Sequence, residues 1–242
     1  MNVYFAADVH LGLPVGDAAA RERRFVRWLD AVKRDATEVF LLGDIFDFWC
    51  EYRTVVPRGF VRTLGKLAEL TDSGIPVHFF IGNHDLWLTD YLRQETGLIV
   101  HLTPLETELG GQRFYLAHGD YLPLAGARRS LLRALFTNRF LQRCFRAIHP
   151  RWGLAWAHRW SHRNRLSKEL AKPFGGEQET TVQLLRRHVA TPPVHHYIFG
   201  HRHTPVQYPL GENTLLTVLG EWIEGGEYAV FDGKTVQLRI TN

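Results

Sequence analysis

The sequence predicts one α/β layered domain, and three observations carry that prediction. Strand-like apolar runs alternate with helix-periodic ones over the first third of the chain, successive strand-like runs close on Asp, His or Asn beside a glycine, and the second half shifts to hairpin signals. The chain has 242 residues, 45% of them hydrophobic, which is enough to bury a large core in a single domain.

In order, Val3 to Ala7 reads as a strand, Ala18 to Lys33 as a helix, Val39 to Leu42 as a buried strand and Gly59 to Leu70 as a second helix. Val77 to Ile81, short and rich in aromatic and β-branched residues, reads as a third strand. Functional residues at the carboxyl ends of such strands are what a layered α/β sheet predicts for its ligand sites. Further on, Gly110-Gly111 separates Leu105 to Leu109 from Arg113 to Ala117, and Asp232-Gly233 separates Tyr228 to Phe231 from Thr235 to Ile240, both favoured tight-turn pairs. Two sheets flanked by helices, a four-layer α/β/β/α sandwich, accommodate both halves. There is no internal repeat or low-complexity tract.

Five fragments closing these runs contain the candidate metal ligands: Asp8-Val9-His10, Gly43-Asp44-Ile45-Phe46-Asp47, Gly82-Asn83-His84-Asp85, His118-Gly119-Asp120 and Gly200-His201-Arg202-His203. One such fragment would be unremarkable, because a lone histidine is usually only a hydrogen-bonded one. Five at the same kind of location are enough to fill two coordination spheres. Two cations about 3.5–4 Å apart need an anionic bridge against their repulsion, and Asp44, behind a glycine that permits close approach, is the candidate. Asp8 with His10, and His201 with His203, are spaced by two residues and so point to one side of an extended chain. Asn83 offers a neutral carbonyl oxygen and His118 an imidazole nitrogen. A donor set of oxygen and nitrogen without thiolate suits manganese, iron or zinc.

This ordered set resembles the calcineurin-like metallophosphoesterases, whose pattern is D-x-H, G-D-x-x-D, G-N-H-[DE], a His before Gly, and G-H-x-H; every position is present between residues 8 and 203. More narrowly the chain is similar to the UDP-2,3-diacylglucosamine hydrolases of lipid A biosynthesis, through Gly43-Asp44-Ile45-Phe46-Asp47-Phe48-Trp49, Ser73-Gly74-Ile75-Pro76, His118-Gly119-Asp120 and Leu219-Gly220-Glu221-Trp222. The resemblance implies the four-layer fold and two divalent cations, manganese before iron or zinc. One would be held by Asp8, His10, Asp44 and His203, the other by Asp44, Asn83, His118 and His201. It further implies that His84 reaches the substrate phosphate as acid or charge stabiliser and that Asp85 orients its ring. Several hydrolases of that family carry Arg where this chain has His84. The family's substrate-contacting Ser, Asn and Lys correspond to Ser161, Asn164 and Lys168, with one extra residue before the Lys, and join Asn83, His84 and His201 as candidate substrate contacts. Acidic residues expected after His-Gly-Asp are replaced by Leu124-Ala125-Gly126-Ala127.

Between the fourth and fifth motifs the composition changes. From Tyr121 to Lys172 there are twelve Lys and Arg against one acidic residue, Glu169, a local charge of +11 in a chain of net charge +4, so the remainder is acidic. Trp152, Trp156 and Trp160 recur every four residues and would stripe a helix. This segment, taken as 121–175, is expected to be a helical, basic insertion. An ordinary solvated face, an interfacial anchor on anionic lipid and a single-strand nucleic-acid binder all fit it. Its place beside a phosphate-cleaving centre and the diacylated substrate implied by the resemblance favour a lipid-accepting cap, with nucleic acid disfavoured.

Cys50 and Cys144 are too few for a disulfide framework and favour a reducing compartment. No signal peptide is visible and no apolar run reaches 18 residues, so the expected location is cytoplasmic, peripheral to the inner membrane's cytoplasmic face. Histidines outside the motifs read mostly as surface or helix-end residues, with bracing of the ligands as the alternative for His195 and His196. The predicted activity is metal-dependent hydrolysis of the diphosphate of UDP-2,3-diacylglucosamine to UMP and the acylated sugar 1-phosphate. The alternatives are another dinuclear phosphoesterase, such as a nuclease or cyclic-nucleotide phosphodiesterase, and a non-enzymatic scaffold of the same fold.

Overall fold

The computed structural model describes residues 1–120, 134, 138–153, 173–187 and 193–241. Its first sheet carries β1 (Asn2–Ala6), β2 (Ala36–Leu41), β3 (Val77–Phe80), β4 (Ile99–His101), β10 (Glu227–Phe231) and β11 (Val236–Ile240), in the order β11-β10-β1-β2-β3-β4. The second carries β5 (Leu105–Leu109), β6 (Gln112–Ala117), β7 (His196–Phe199), β8 (Val206–Gly211) and β9 (Thr214–Val218), in the order β5-β6-β7-β9-β8. In both sheets the central neighbours are parallel, β1 to β4 in one and β6, β7 and β9 in the other, and the antiparallel hairpins lie at the edges.

Period-two alternation builds the layers. Val3 and Phe5 of β1 face the second sheet and pack with Phe40, Phe80, Phe114, Leu116, Ile198 and Phe231, whereas Tyr4 and Ala6 face the helices. Helix α1 (Ala18–Val32) buries Phe25, Trp28, Leu29 and Val32, a 3- and 4-residue spacing that makes one apolar stripe against the first sheet. Asp17 caps it by accepting from the Ala20 N–H at 2.8 Å, worth about 1 kcal/mol. Helix α2 (Val61–Asp72) stops at Ser73-Gly74, where Gly74 takes φ +82°. Helix α3 (Tyr91–Thr96) leads into β4. Helix α5 (Thr180–Arg187) covers the outer face of the second sheet, placing Val182 and Leu185 on Tyr115, Tyr197 and Phe199. Three apolar layers thus separate four structural ones, as the sequence predicts. Of the 121–175 insertion, α4 (Arg139–Arg146) and its neighbours are described; Trp156, Trp160, Ser161, Asn164 and Lys168 lie outside the described residues. No described helix is long and apolar enough to cross a membrane.

Elements not anticipated are α3, α5, the three-residue β4, the inner strand β9 of the second sheet and its partner β8, whose Pro209 is tolerated because β8 is an edge strand. His195 and His196 open β7, while the ligand loop follows its far end. Four residues at about 3.3 Å each put them roughly 13 Å from that loop, so they do not brace the ligands. His196 instead stacks on Phe114, with ring centroids 4.7 Å apart, and lies 2.6 Å from Gln112 Oε1.

Candidate metal centre

All five fragments leave the carboxyl ends of parallel strands: Asp8 and His10 after β1, Asp44 after β2, Asn83 after β3, His118 after β6, and His201 and His203 after β7. Six described non-glycine residues have positive φ, and five of them are predicted ligands: Asp8 (54°), His10 (51°), Asp44 (53°), His201 (65°) and His203 (58°). Left-handed backbone at bulky residues costs on the order of 1 kcal/mol or more each and persists where surrounding structure imposes it, as at functional sites. The motif glycines supply room for this. A Cβ on Gly82 would strike Asp44 Oδ1 and its backbone N, and one on Gly200 would lie 2.5 Å from Asp8 Oδ2.

Asp8 and Asp44, both buried, are each held by one carboxylate oxygen and present the other. Asp8 Oδ2 accepts from the His201 backbone N–H at 2.7 Å. Its Oδ1 is buried without a hydrogen bond, 3.3 Å from His203 Nε2 and 3.7 Å from His10 Nε2. Asp44 Oδ1 likewise accepts from the His84 backbone N–H at 2.8 Å, and Oδ2 lies 3.3 Å from His118 Nε2. The imidazoles point inward: His10 Nε2 and His203 Nε2 are 3.3 Å apart, and His118 Nε2 is 3.3 Å from Asn83 Oδ1. His118 Nδ1 lies 2.8 Å from the Leu42 carbonyl; a carbonyl only accepts, so Nδ1 donates there and Nε2 is the nitrogen turned to the centre.

The electrostatics call for cations. Burial disfavours the ionised Asp8 and Asp44, yet the facing imidazoles of His203 and His10, and of His118 and His84, hold both carboxyls well below the usual carboxylate range. Burial likewise disfavours a charged His118, but Asp44 and Asp8 push its pKa well above the ordinary histidine value. Ligand atoms fall into three groups in which all lie within 4.8 Å of one another: Asp8–His10–His203, Asp44–His118–His201, and His10–Asp44–His84. The first two each hold three members of one expected sphere, and the third brings Asp44 to His10 of the first. The orphaned Asp8 oxygen, the paired imidazole nitrogens and the absence of thiolate fit divalent metal ions.

His84 and Asp85 depart from the expected relation. Asp85 does not orient the His84 ring: it is buried and accepts from the backbone N–H groups of Gly82 (2.6 Å), Ile45 (2.9 Å), Asp44 (3.3 Å) and Phe46 (3.5 Å), so it ties the second motif to the third. Burial and the Asp44 charge raise its pKa to about 7 against the pull of those amides. The His84 ring is set instead by Asp47, whose carbonyl lies 2.9 Å and Oδ1 3.8 Å from Nδ1. Nδ1 therefore donates, and Nε2, 4.0 Å from Asp44 Oδ2, faces the centre. Asp47 Oδ1 also lies 3.9 Å from His10 Nδ1, as expected of a brace.

Three supports were not foreseen. Arg21, buried on α1, donates to the carbonyls of His10 (2.8 Å), Leu13 (3.2 Å) and Val15, holding the first loop from behind. Glu51, also buried, accepts from Trp49 Nε1 (3.1 Å) and the Tyr91 and Leu92 amides (3.2 and 3.3 Å), fixing the stretch after the second motif against α3. Trp222 donates its backbone N–H to the Asp8 carbonyl at 3.1 Å and packs its ring on Phe25 and Trp28. Its Leu-Gly-Glu-Trp motif was the only visible signal.

A family model for calcineurin-like phosphoesterases matches residues 1–205. The chain belongs to this family. Among relatives of this phosphoesterase, the UDP-2,3-diacylglucosamine hydrolase of Porphyromonas gingivalis is 42% identical over 253 residues, covering 98% of this chain and 96% of its own. The hydrolases of the same name from Edwardsiella ictaluri and Escherichia coli O6:H1 are 29% and 27% identical, each over 98% of this chain and over 91% and 98% of their own.

Proposed function

We propose that this phosphoesterase hydrolyses the diphosphate of UDP-2,3-diacylglucosamine, releasing UMP and 2,3-diacylglucosamine 1-phosphate. The observation that carries the chemistry is the pair of half-held carboxylates, Asp8 and Asp44, each turning one oxygen onto imidazole nitrogens. The substrate rests on relatives of that name whose likeness runs the length of both chains.

In this reading Asp8, His10, Asp44 and His203 hold one cation and Asp44, Asn83, His118 and His201 the other, with manganese the first choice. Bound there, the cations supply Lewis acidity to the phosphate oxygens and to a water nucleophile. Asp8 and Asp44 keep their metal-facing oxygens aligned because backbone N–H groups occupy the others. His118 stays in one tautomer through Leu42. His84, its Nδ1–H fixed on the Asp47 carbonyl, meets the phosphate through Nε2, stabilising developing charge or, when protonated, giving a proton to the leaving oxygen. Asn83 and His201 also border the substrate, and Ser161, Asn164 and Lys168 contact it from the insertion.

The insertion receives the acyl chains and touches anionic lipid at the cytoplasmic face of the inner membrane. Phe140 and Trp152 are 70% and 71% exposed, and Arg143 on α4 is exposed as well, apolar and cationic groups of the kind a lipid interface takes. Acyl burial contributes about 0.8 kcal/mol per methylene, so kcat/KM should fall steeply as the chains shorten. Diacylated and deacylated UDP-glucosamine, assayed beside single-stranded DNA, test this. Equal turnover of the two sugar nucleotides, or faster cleavage of DNA, would refute the lipid reading, since a nuclease ignores acyl length and weakens with salt instead.

A further inference from the structure

Arg202 stands between two ligand candidates, His201 and His203, and its guanidinium reaches the arm by which the chain returns from the insertion. Its Nη2 donates to Glu179 Oε1 at 3.1 Å and to the Pro173 carbonyl at 3.3 Å. Glu179 Oε1 also accepts from the Gly175 N–H at 3.0 Å, so one carboxylate oxygen and one guanidinium nitrogen close the arm by which the chain returns from the insertion. The side chains are 30% and 19% exposed, sheltered enough for charge-assisted bonds to count. Beyond the pair the arm is fastened to β8: Phe174 packs on Tyr208 with centroids 5.3 Å apart, and Glu177 bonds Tyr208 Oη at 2.6 Å and Arg186 Nε at 2.8 Å.

The other described part, residues 138–153, rests on the segments that follow the second and third motifs. Phe145 of α4 is buried, its ring 4.3 Å from Trp87, two residues past Asp85, and Trp87 bridges to Cys50 just past the second motif. The described residues of this stretch are therefore attached in two places, at Phe145 to the segments after the Asp44 and His84 motifs and at the return arm to the His201–His203 loop.

We propose that Arg202 and Glu179 form a latch that fixes the return arm, residues 173–179, to the His201–His203 loop, so that substrate contacts made from the insertion depend on this pair. Arg202 is a positioning residue in this role, acting through the arm and not on the phosphate. The claim deepens the functional reading above, because its kinetic effect rests on the insertion receiving the acylated part of the substrate. A merely structural pair would lower all activities together. A latch would act on the large substrate and spare a small one.

Glu179→Gln removes the charge without touching the metal loop. In the manganese-loaded protein we expect KM for diacylated UDP-glucosamine to rise about tenfold, with kcat, metal content and hydrolysis of bis-p-nitrophenyl phosphate within about twofold of wild type. Tryptic cleavage at arginines between residues 121 and 172 should quicken by about tenfold. The exchange Arg202→Glu/Glu179→Arg should recover most of both effects. Unchanged KM and unchanged proteolysis in Glu179→Gln would overturn the latch, as would an equal loss on both substrates. If the wild type releases no UMP from the diacylated substrate, the functional reading fails, and the proteolysis alone still decides the latch.

Discussion

Asp44→Ala is expected to abolish turnover and to lower metal content at both sites. Asp44 is the one residue assigned to both cations, and its Oδ2 sits 3.3 Å from His118 while Oδ1 is pinned by the His84 amide. Removing it deletes the shared anion that offsets cation–cation repulsion, so the second ion should be lost with the first, and the rate should fall by at least about 10³-fold. Asp44→Asn, which keeps the shape, separates this effect from misfolding: a carboxyl held well below its ordinary range contributes stability at neutral pH, so metal-free Asp44→Asn should melt below metal-free wild type but still in one cooperative step. Two-metal occupancy with a near-normal rate in Asp44→Ala would remove the bridging role. Elemental analysis beside steady-state kinetics decides it.

His84→Ala is expected to slow the reaction by about 10²–10⁴-fold with unchanged metal stoichiometry, the loss typical of a group that transfers a proton or stabilises charge in the transition state. The geometry makes the stoichiometry informative. His84 shares a group with His10 and Asp44 whose ligand atoms lie within 4.8 Å of one another, so it is placed to ligate as well as to reach the phosphate. Loss of an ion in His84→Ala would make it a ligand. Asp47, which sets the ring through its carbonyl, is the neighbour that makes Nε2 the working nitrogen in either case.

The ligand positions were legible because chemistry restricts residue type: few side chains hold a hard divalent cation, and Asp8, His10, Asp44, Asn83, His118, His201 and His203 each follow a recognisable strand. The strands themselves were legible from period-two and buried runs. Hydrogen-bond direction was not. Asp85 follows His84 directly, which suggested that it orients that ring, but the turn sends its carboxylate to four backbone amides instead. Arg21 and Glu51 look like ordinary helix-surface and loop charges until burial shows that they satisfy carbonyls and amides of the loops. His195 and His196 misled because sequence proximity to Gly200 ignores the length of an intervening strand. Charge and tryptophan spacing set the 121–175 stretch apart in the sequence, while the Arg202–Glu179 pair, between residues 23 apart, left no sequence signal.

The positive-φ ligands bear on why the fold keeps these strands. Five residues held in left-handed conformation are a stability cost that flanking glycines and buried supports such as Arg21, Asp85 and Trp222 offset.

The central claim is that two cations, shared through Asp44, act together on the diphosphate. Its most direct test is to strip the protein with chelator, add manganese back in fractional equivalents, and follow UMP release from diacylated UDP-glucosamine together with bound metal. The account predicts that activity is absent without metal and climbs until about two ions are bound per chain. Turnover by the stripped protein, or full activity with a single ion bound, would contradict it.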